Sequence, residues 1–116
     1  MVDNIGFGKK AEDLALRLLE RRGWKLVDRH VCFREGEIDL IVEKDGGLLF
    51  VEVKGRRSSA FGDVVEALTT GKTRRLRKVV IRWRERSGDG RRGRLYFVGI
   101  LFEREKPVKV IGHLIE

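Results

Sequence analysis

Residues 36–55 of the chain read GEIDLIVEKDGGLLFVEVKG. The first part alternates as a β-strand does, with Ile38, Leu40 and Val42 on one face and Glu37, Asp39, Ile41 and Glu43 on the other. Residues 44–47 (KDGG) contain Asp-Gly, which is a strong signal for a hairpin turn. Residues 48–54 then return as a second strand. The stretch therefore predicts an antiparallel β-hairpin, and the rest of the fold is built around it.

The turn fixes which residues of the hairpin oppose each other. A two-residue loop pairs Lys44 with Gly47, and a four-residue loop continues the same register. Asp39 then lies opposite Glu52, and Glu37 lies opposite Lys54, with Cβ atoms of opposed residues about 4.5–5.5 Å apart. A loop of three or five residues would break this pairing. The register predicts two carboxylates and a lysine together on one face of the sheet.

Two carboxylates that face each other are destabilising unless something compensates their charge. A divalent cation would do so, because Mg²⁺ commonly takes one or two carboxylates together with water and a substrate phosphate. Lys54 could orient or deprotonate a water, or stabilise the charge that develops on an attacked phosphate. The alternative is an ordinary solvated strand face with a Glu37–Lys54 cross-strand pair, and the spacing alone favours that alternative.

Together with the hairpin, the remaining segments predict five strands and two helices. Residues 6–22 form an amphipathic helix, and residues 70–86 form a second one with Leu76, Val79, Val80 and Trp83 as its buried stripe. Residues 24–33 form the first strand, and residues 95–102 and 108–115 form the last two. Residues 55–65 and 87–93 are loops rich in Gly and Arg. The order αβββαββ predicts one α/β domain over residues 1–116, with a central mixed sheet flanked by helices.

The charge distribution indicates a polyanionic partner. The chain has 26 basic and 18 acidic residues, a formal net charge of +8. Residues 71–94 hold eleven basic residues against Glu85 and Asp89, while the rest of the chain carries 15 basic and 16 acidic residues. A nearly neutral body with one basic segment is typical of nucleic-acid binding. A highly charged, heat-tolerant surface is the alternative.

Other features exclude several classes of protein. No apolar run approaches the ~20 residues of a membrane span, and residues 1–10 do not resemble a signal peptide. The single cysteine, Cys32, allows no internal disulfide. These observations predict a reducing, cytoplasmic location and no membrane partner. His30 and His113 have no ligand partner nearby in sequence, so we expect both to be structural.

Two further residues lie at the edges of buried helix faces. Helical geometry of about 100° per residue puts Glu12 beside Leu19, at the rim of the first helix's apolar face. From there Glu12 can reach a site between helix and sheet, or simply enter solvent. Lys72 lies at the start of the second helix, where it can snorkel or point at a phosphate.

Several segments together resemble the YraN-like family of small bacterial proteins. They are GKKAE (8–12), GEIDLI (36–41), FVEVKGR (50–56), and Phe61-Gly62 followed by Glu66-Ala67 and Lys72. The resemblance covers residues 6–115. That family is similar to the restriction-endonuclease-like superfamily with the PD-(D/E)xK signature, near the archaeal Holliday-junction resolvases.

The resemblance implies a role for individual residues. Asp39 matches the aspartate of the signature, Glu52 its second acid and Lys54 its lysine. Glu12 matches a helix glutamate, and Lys72 matches a lysine that opens the second helix. Ile38 stands where the signature has proline, and residues 95–98 lack an aspartate that relatives carry. The superfamily implies Mg²⁺-dependent phosphodiester hydrolysis.

We therefore expect a Mg²⁺- or Mn²⁺-dependent endonuclease that acts on DNA rather than RNA, on branched DNA in particular. Asp39 and Glu52 hold the metal, Glu12 supports it, Lys54 acts on the water or the charge, and Glu37 is a weaker candidate. The residues expected to contact phosphates are Arg56, Arg57, Lys72, Arg74, Arg75, Arg77, Lys78 and Arg82. A homodimer would suit a branched substrate. The rivals are a basic module that binds nucleic acid without cutting it, and a scaffold for an acidic protein.

Overall fold

The computed structural model describes residues 4–57 and 70–116, with side chains from residue 8 to 57 and from 71 onward. Its elements are α1 (Asn4–Arg21), β1 (Lys25–Phe33), β2 (Gly36–Lys44), β3 (Gly47–Arg57), α2 (Thr70–Ser87), β4 (Gly93–Glu103) and β5 (Lys106–Leu114). The predicted order αβββαββ is confirmed. β3 extends to Arg57, so the loop predicted from Gly55 begins later. The rest of that loop, and the segment from Phe61 to Ala67, lie outside the described residues.

The five strands form one mixed sheet in the order β1-β2-β3-β4-β5. β1, β2 and β3 are successively antiparallel, β3 and β4 are parallel, and β5 returns antiparallel to β4. A parallel pair needs a crossover connection, because the chain must return to the same end of the sheet. α2 lies in this crossover. This α/β architecture is consistent with a restriction-endonuclease-like fold.

The helices cover the two faces of the sheet. Ala11, Ala15 and Leu19 of α1 pack against one face, which includes Leu40 and Val42. Leu76, Val79 and Trp83 of α2 pack against the other face, with Val80 partly buried beside them. The central strands β3 and β4 are therefore covered on both sides, and most of their residues are buried.

The hairpin register is confirmed near the turn. Lys44 pairs with Gly47, and the ladder continues to Leu40 opposite Val51. Asp45 and Gly46 have φ values of 51° and 79°. Positive φ at both central residues defines the type I′ turn, which matches the twist of the flanking strands and which Asp-Gly favours.

The predicted alternation of β2 is wrong at one point. Ile38 packs on the α2 side together with Ile41, whereas Leu40 and Val42 pack on the α1 side. The pleat therefore shifts by one residue between Ile38 and Leu40. The physical reason is that α2 needs apolar partners on its side of the sheet, and the shift buries both isoleucines there.

This shift also ends the ladder between β2 and β3 beyond Leu40 and Val51. Asp39 and Glu52 are not ladder partners, and neither are Glu37 and Lys54, which corrects the predicted pairing. The amide of Val53 instead donates a hydrogen bond of 2.7 Å to Oδ2 of Asp39. The two strands separate here, and the Asp39 carboxylate lies at the point of separation.

None of the helices in the described ranges is long and apolar enough to span a membrane.

The packing between the sheet and α2 can be tested at Gly93, the first residue of β4. A Cβ at Gly93 would lie 2.4 Å from Cε2 of Phe50, whose ring packs edge-on against Trp83. We expect Gly93→Ala to destabilise the fold by about 1–3 kcal/mol through overpacking. Gly90→Ala is the matched control, because nothing lies within 4 Å of a Cβ there. Thermal denaturation of both variants checks this, and equal melting temperatures would contradict it.

Candidate functional site

A cavity of about 250 Å³ opens where β2 and β3 separate. It lies between these strands and the first turns of α2. Its lining residues are Gly36, Glu37, Asp39, Glu52, Val53, Lys54, Lys72, Arg75 and Leu76. Although the predicted ladder pairs do not form, the structure brings Asp39, Glu52, Lys54 and Glu37 to one cavity.

Asp39 is buried near a second acid. Burial, followed by the charge of Glu52, raises the pKa of Asp39 to about 8, against the lowering effect of the Val53 amide. A carboxyl group in such a position favours the neutral form unless positive charge is supplied. Asp39 is therefore a group that a cation would stabilise in its ionised form.

Glu52 is compensated by a lysine from the opposite element. Its side chain is only 9% exposed, and Nζ of Lys72 lies 2.8 Å from its Oε1. Glu52 is the one charged residue that is buried among the described side chains. Buried carboxylates persist when they are paired and hydrogen-bonded, so the ammonium of Lys72 accounts for this one.

Lys54 follows Glu52 by two residues on β3, and its half-buried side chain lines the same cavity. Arg75 of α2 adds a third positive charge to the lining. Three acids and three basic side chains therefore share one opening. This combination can bind a divalent cation and an anionic group side by side.

Glu12 lies beside the cavity rather than in it. Its Oε1 is 3.2 Å from Nε2 of His30, and its side chain is 13% exposed. Burial, offset by His30, raises the pKa of Glu12, and the charge of Glu12 adds to the pKa rise of Asp39. Glu12 thus influences the acids from the rim that the helical geometry predicted.

His30 is the residue that the sequence reasoning missed. It lies between two acids, with its other ring nitrogen 3.4 Å from Oε1 of Glu37. Its φ of 52° is unusual for a residue with a side chain. The sequence contained one signal for this position. His30 lies in β1, seven residues before Glu37, and the two predicted strands that carry these residues are neighbours.

Two carboxylates of the cavity are the candidate ligands for a divalent cation. Within residues 4–57 and 70–116, no three His, Cys, Asp or Glu side chains are grouped to hold an ion by themselves. Asp39 and Glu52 supply two carboxylates to one opening. Mg²⁺ keeps several waters and often completes its shell with substrate phosphate, so proteins commonly bind it through only one or two carboxylates.

The predicted phosphate contacts fall into two groups. Lys72 and Arg75 line the cavity, while Arg57, Arg74 and Lys78 are exposed nearby on β3 and α2. The others are engaged by the protein itself. Arg77 pairs with Glu116, Arg82 pairs with Glu35 at 2.9 Å, and Arg56 donates to the carbonyl of Gly55 at 2.9 Å. The basic segment is thus partly neutralised by distant acids.

The fold and this cavity define a class: a restriction-endonuclease-like α/β protein in which two acids and a lysine from the central hairpin meet in one opening. The model of the uncharacterised protein family UPF0102 matches residues 11–100. The chain belongs to this family, which confirms the YraN-like resemblance of its motifs.

Curated relatives extend the match over most of the chain. A UPF0102 protein of Rhodococcus jostii is 43% identical over 88 residues, which cover 76% of this chain and 75% of the relative. One of Rhodococcus opacus is 41% identical over 87% of this chain and 86% of its own length. One of Pelotomaculum thermopropionicum is 36% identical over 91% and 89%.

The raised pKa of Asp39 predicts a pH-dependent cost to stability. The folded state retains a proton that the unfolded state releases near its ordinary pKa, so stability falls as the pH rises from about 4 to about 8. Asp39→Asn removes this cost and keeps an acceptor oxygen for the Val53 amide. In metal-free buffer at pH 8 we expect the variant to be more stable by roughly 1–3 kcal/mol, with a smaller gain at pH 5.

Urea denaturation at the two pH values measures this difference. Asp13→Asn is the control with the opposite sign, because a hydrogen bond from Arg29 lowers the pKa of Asp13. At pH values above the ordinary pKa of aspartate, the Asp13→Asn variant should be less stable than wild type. An Asp39→Asn protein that is less stable than wild type at pH 8 would contradict the account.

Proposed function

We propose that the protein is a Mg²⁺- or Mn²⁺-dependent endonuclease that hydrolyses phosphodiester bonds in DNA. The observation that carries the proposal is the cavity shared by Asp39, Glu52 and Lys54. Phosphodiester hydrolysis needs a Lewis acid, a positioned water and positive charge for the transition state. The lining residues can supply or hold each of these.

The residues divide these tasks by chemistry. Asp39 and Glu52 would hold the cation, which supplies Lewis-acid polarisation of a phosphoryl oxygen when bound. Lys54, beside them on β3, stabilises the negative charge that develops on the phosphate or moves a proton from the attacking water. Glu12 acts from the rim by orienting groups around Asp39 with His30. Lys72 and Arg75 bind the phosphate from the α2 side.

The substrate assignment rests on charge and on resemblance. Arg57, Arg74 and Lys78 are exposed on β3 and α2, the two elements that also contribute to the cavity, and their charge suits a phosphate backbone. The resemblance to junction resolvases favours DNA over RNA and branched DNA as the substrate, and a homodimer would suit such a substrate. We place this activity in the cytoplasm, where the free thiol of Cys32 would remain reduced.

One observation favours a second candidate, a module that binds nucleic acid without cutting it. The Val53 amide and the Lys72 ammonium already engage Asp39 and Glu52 without a metal ion. A protein that used these acids only for structure would show the same contacts. Both candidates predict salt-sensitive binding of nucleic acid, so only catalysis separates them.

Cleavage and binding of the same DNA therefore test the proposal. With Mg²⁺ or Mn²⁺ we expect wild type to cut branched or linear DNA. Lys54→Ala and Asp39→Asn should each lose activity by about 10²-fold or more, while their binding affinity in metal-free buffer should stay within about twofold of wild type. The control is Lys25→Ala, an exposed lysine at the start of β1. A wild-type protein that binds both DNAs and cuts neither would establish the binding module instead.

The ion pairs on α2 predict which cations contact the backbone. Arg74→Ala and Lys78→Ala should each reduce the slope of log affinity against log salt by about one, because each removes a phosphate contact. Arg77→Ala should change the slope much less, since Glu116 already engages that guanidinium. Fluorescence anisotropy over a salt series measures the slopes. Equal effects of all three substitutions would contradict this assignment.

A further inference from the structure

The ion pair between Lys72 and Glu52 occupies an atom that the proposed metal would need. Nζ of Lys72 lies 2.8 Å from Oε1 of Glu52, well within reach for a charge-assisted hydrogen bond. A divalent cation bound to Glu52 would stand close to this ammonium. Two positive charges at such short range repel each other strongly inside a protein. Lys72 and the cation therefore compete for Glu52.

Lys72 has the freedom to leave Glu52 while α2 stays in place. It belongs to the first turn of α2, and its side chain is 30% exposed, whereas that of Glu52 is 9% exposed. A lysine carries its charge on a flexible four-carbon stem. The ammonium can thus move within the cavity, while the Glu52 carboxylate on β3 stays where it is.

The phosphate that would bind the displaced ammonium of Lys72 enters the same cavity. Lys72 lines the opening together with Lys54 and Arg75, so a phosphate that enters meets three basic side chains. The beginning of α2 adds amide groups that also favour an anion. A phosphate in this cavity would offer a new partner to an ammonium displaced from Glu52.

We propose that Lys72 exchanges partners, from Glu52 in the metal-free protein to a substrate phosphate once the cation is bound, and so couples the binding of the two ligands. The proposal rests on the metal site of the proposed function. Because coupling free energies are reciprocal, the cation raises the affinity for nucleic acid by the same factor as nucleic acid raises the affinity for the cation. The partner exchange of Lys72 contributes part of this coupling between the two ligands.

The first test measures Mn²⁺ binding to the protein without nucleic acid, by calorimetry or electron paramagnetic resonance. Lys72→Met removes the competitor for Glu52, so we expect it to bind Mn²⁺ at least about fivefold more tightly than wild type. Arg75→Met is the control. It removes an equal charge from the lining of the same cavity, and the described residues show no ion pair between Arg75 and a carboxylate. We expect it to change the affinity by less than about twofold.

A decrease in Mn²⁺ affinity in Lys72→Met would identify a structural role for Lys72. If Lys72 merely held Glu52 in place, Lys72→Met would bind Mn²⁺ more weakly than wild type. Unchanged or weaker binding by a variant whose circular dichroism and melting temperature show it to be folded overturns the exchange. A wild-type protein that binds no Mn²⁺ overturns the metal site itself, and with it the proposed function.

The second test measures coupling directly. Affinity for a cleavage-resistant phosphorothioate DNA duplex is measured with and without Mn²⁺ at equal ionic strength. In wild type Mn²⁺ should increase the affinity, and in Lys72→Met the increase should be at least about threefold smaller, because no ammonium is released to the phosphate. The same increase in both proteins overturns the exchange and leaves the metal site standing.

Discussion

The hydrogen bond from the Val53 amide to the Asp39 carboxylate marks the place on which the rest of the site depends. In a regular antiparallel ladder this amide would bond a strand carbonyl, and the space between β2 and β3 would be closed. Here the pleat of β2 shifts so that Ile38 and Ile41 both pack under α2. The side chain of Asp39 then takes over as acceptor, and the cavity opens beside it. Core packing and the site are therefore consequences of one local irregularity.

That irregularity is electrostatically unfavourable in the metal-free protein. Burial and the neighbouring Glu52 raise the pKa of Asp39 to about 8, and Glu52 is buried against Lys72. Natural proteins tolerate such local costs mainly where a ligand repays them, and the surrounding sheet supplies the stability to do so. β3 and β4 are covered on both faces and mostly buried, which gives the acids a rigid base. A bound cation would lower this electrostatic cost.

Much of the architecture could be predicted because local signals agree with it. Asp45-Gly46 specified a type I′ turn, and the turn specified the register from Lys44 to Leu40. The break beyond Leu40 could not be predicted, since the period of two in β2 contains no information about the apolar surface of α2. The same limit applies to His30 and to the Lys72–Glu52 pair, whose members are far apart in sequence and meet only in the folded chain.

The sequence predicted that several of these residues lie together, but not how they come together. Asp39, Glu52, Lys54 and Lys72 meet as the family signature implies, but through a strand separation rather than through paired rungs. The charge count of residues 71–94 overestimated how many basic side chains are available to a ligand. Arg77 and Arg82 are engaged by Glu116 and Glu35, which lie 39 and 47 residues away and which a local count cannot see.

The most direct measurement of the central claim is anomalous X-ray diffraction from crystals soaked in Mn²⁺. The account predicts a peak in the cavity within coordination distance of both Asp39 and Glu52, with Lys72 displaced from Glu52. A fully soaked crystal with no peak there, and with Asp39 and Glu52 still held by the Val53 amide and Lys72, would contradict it.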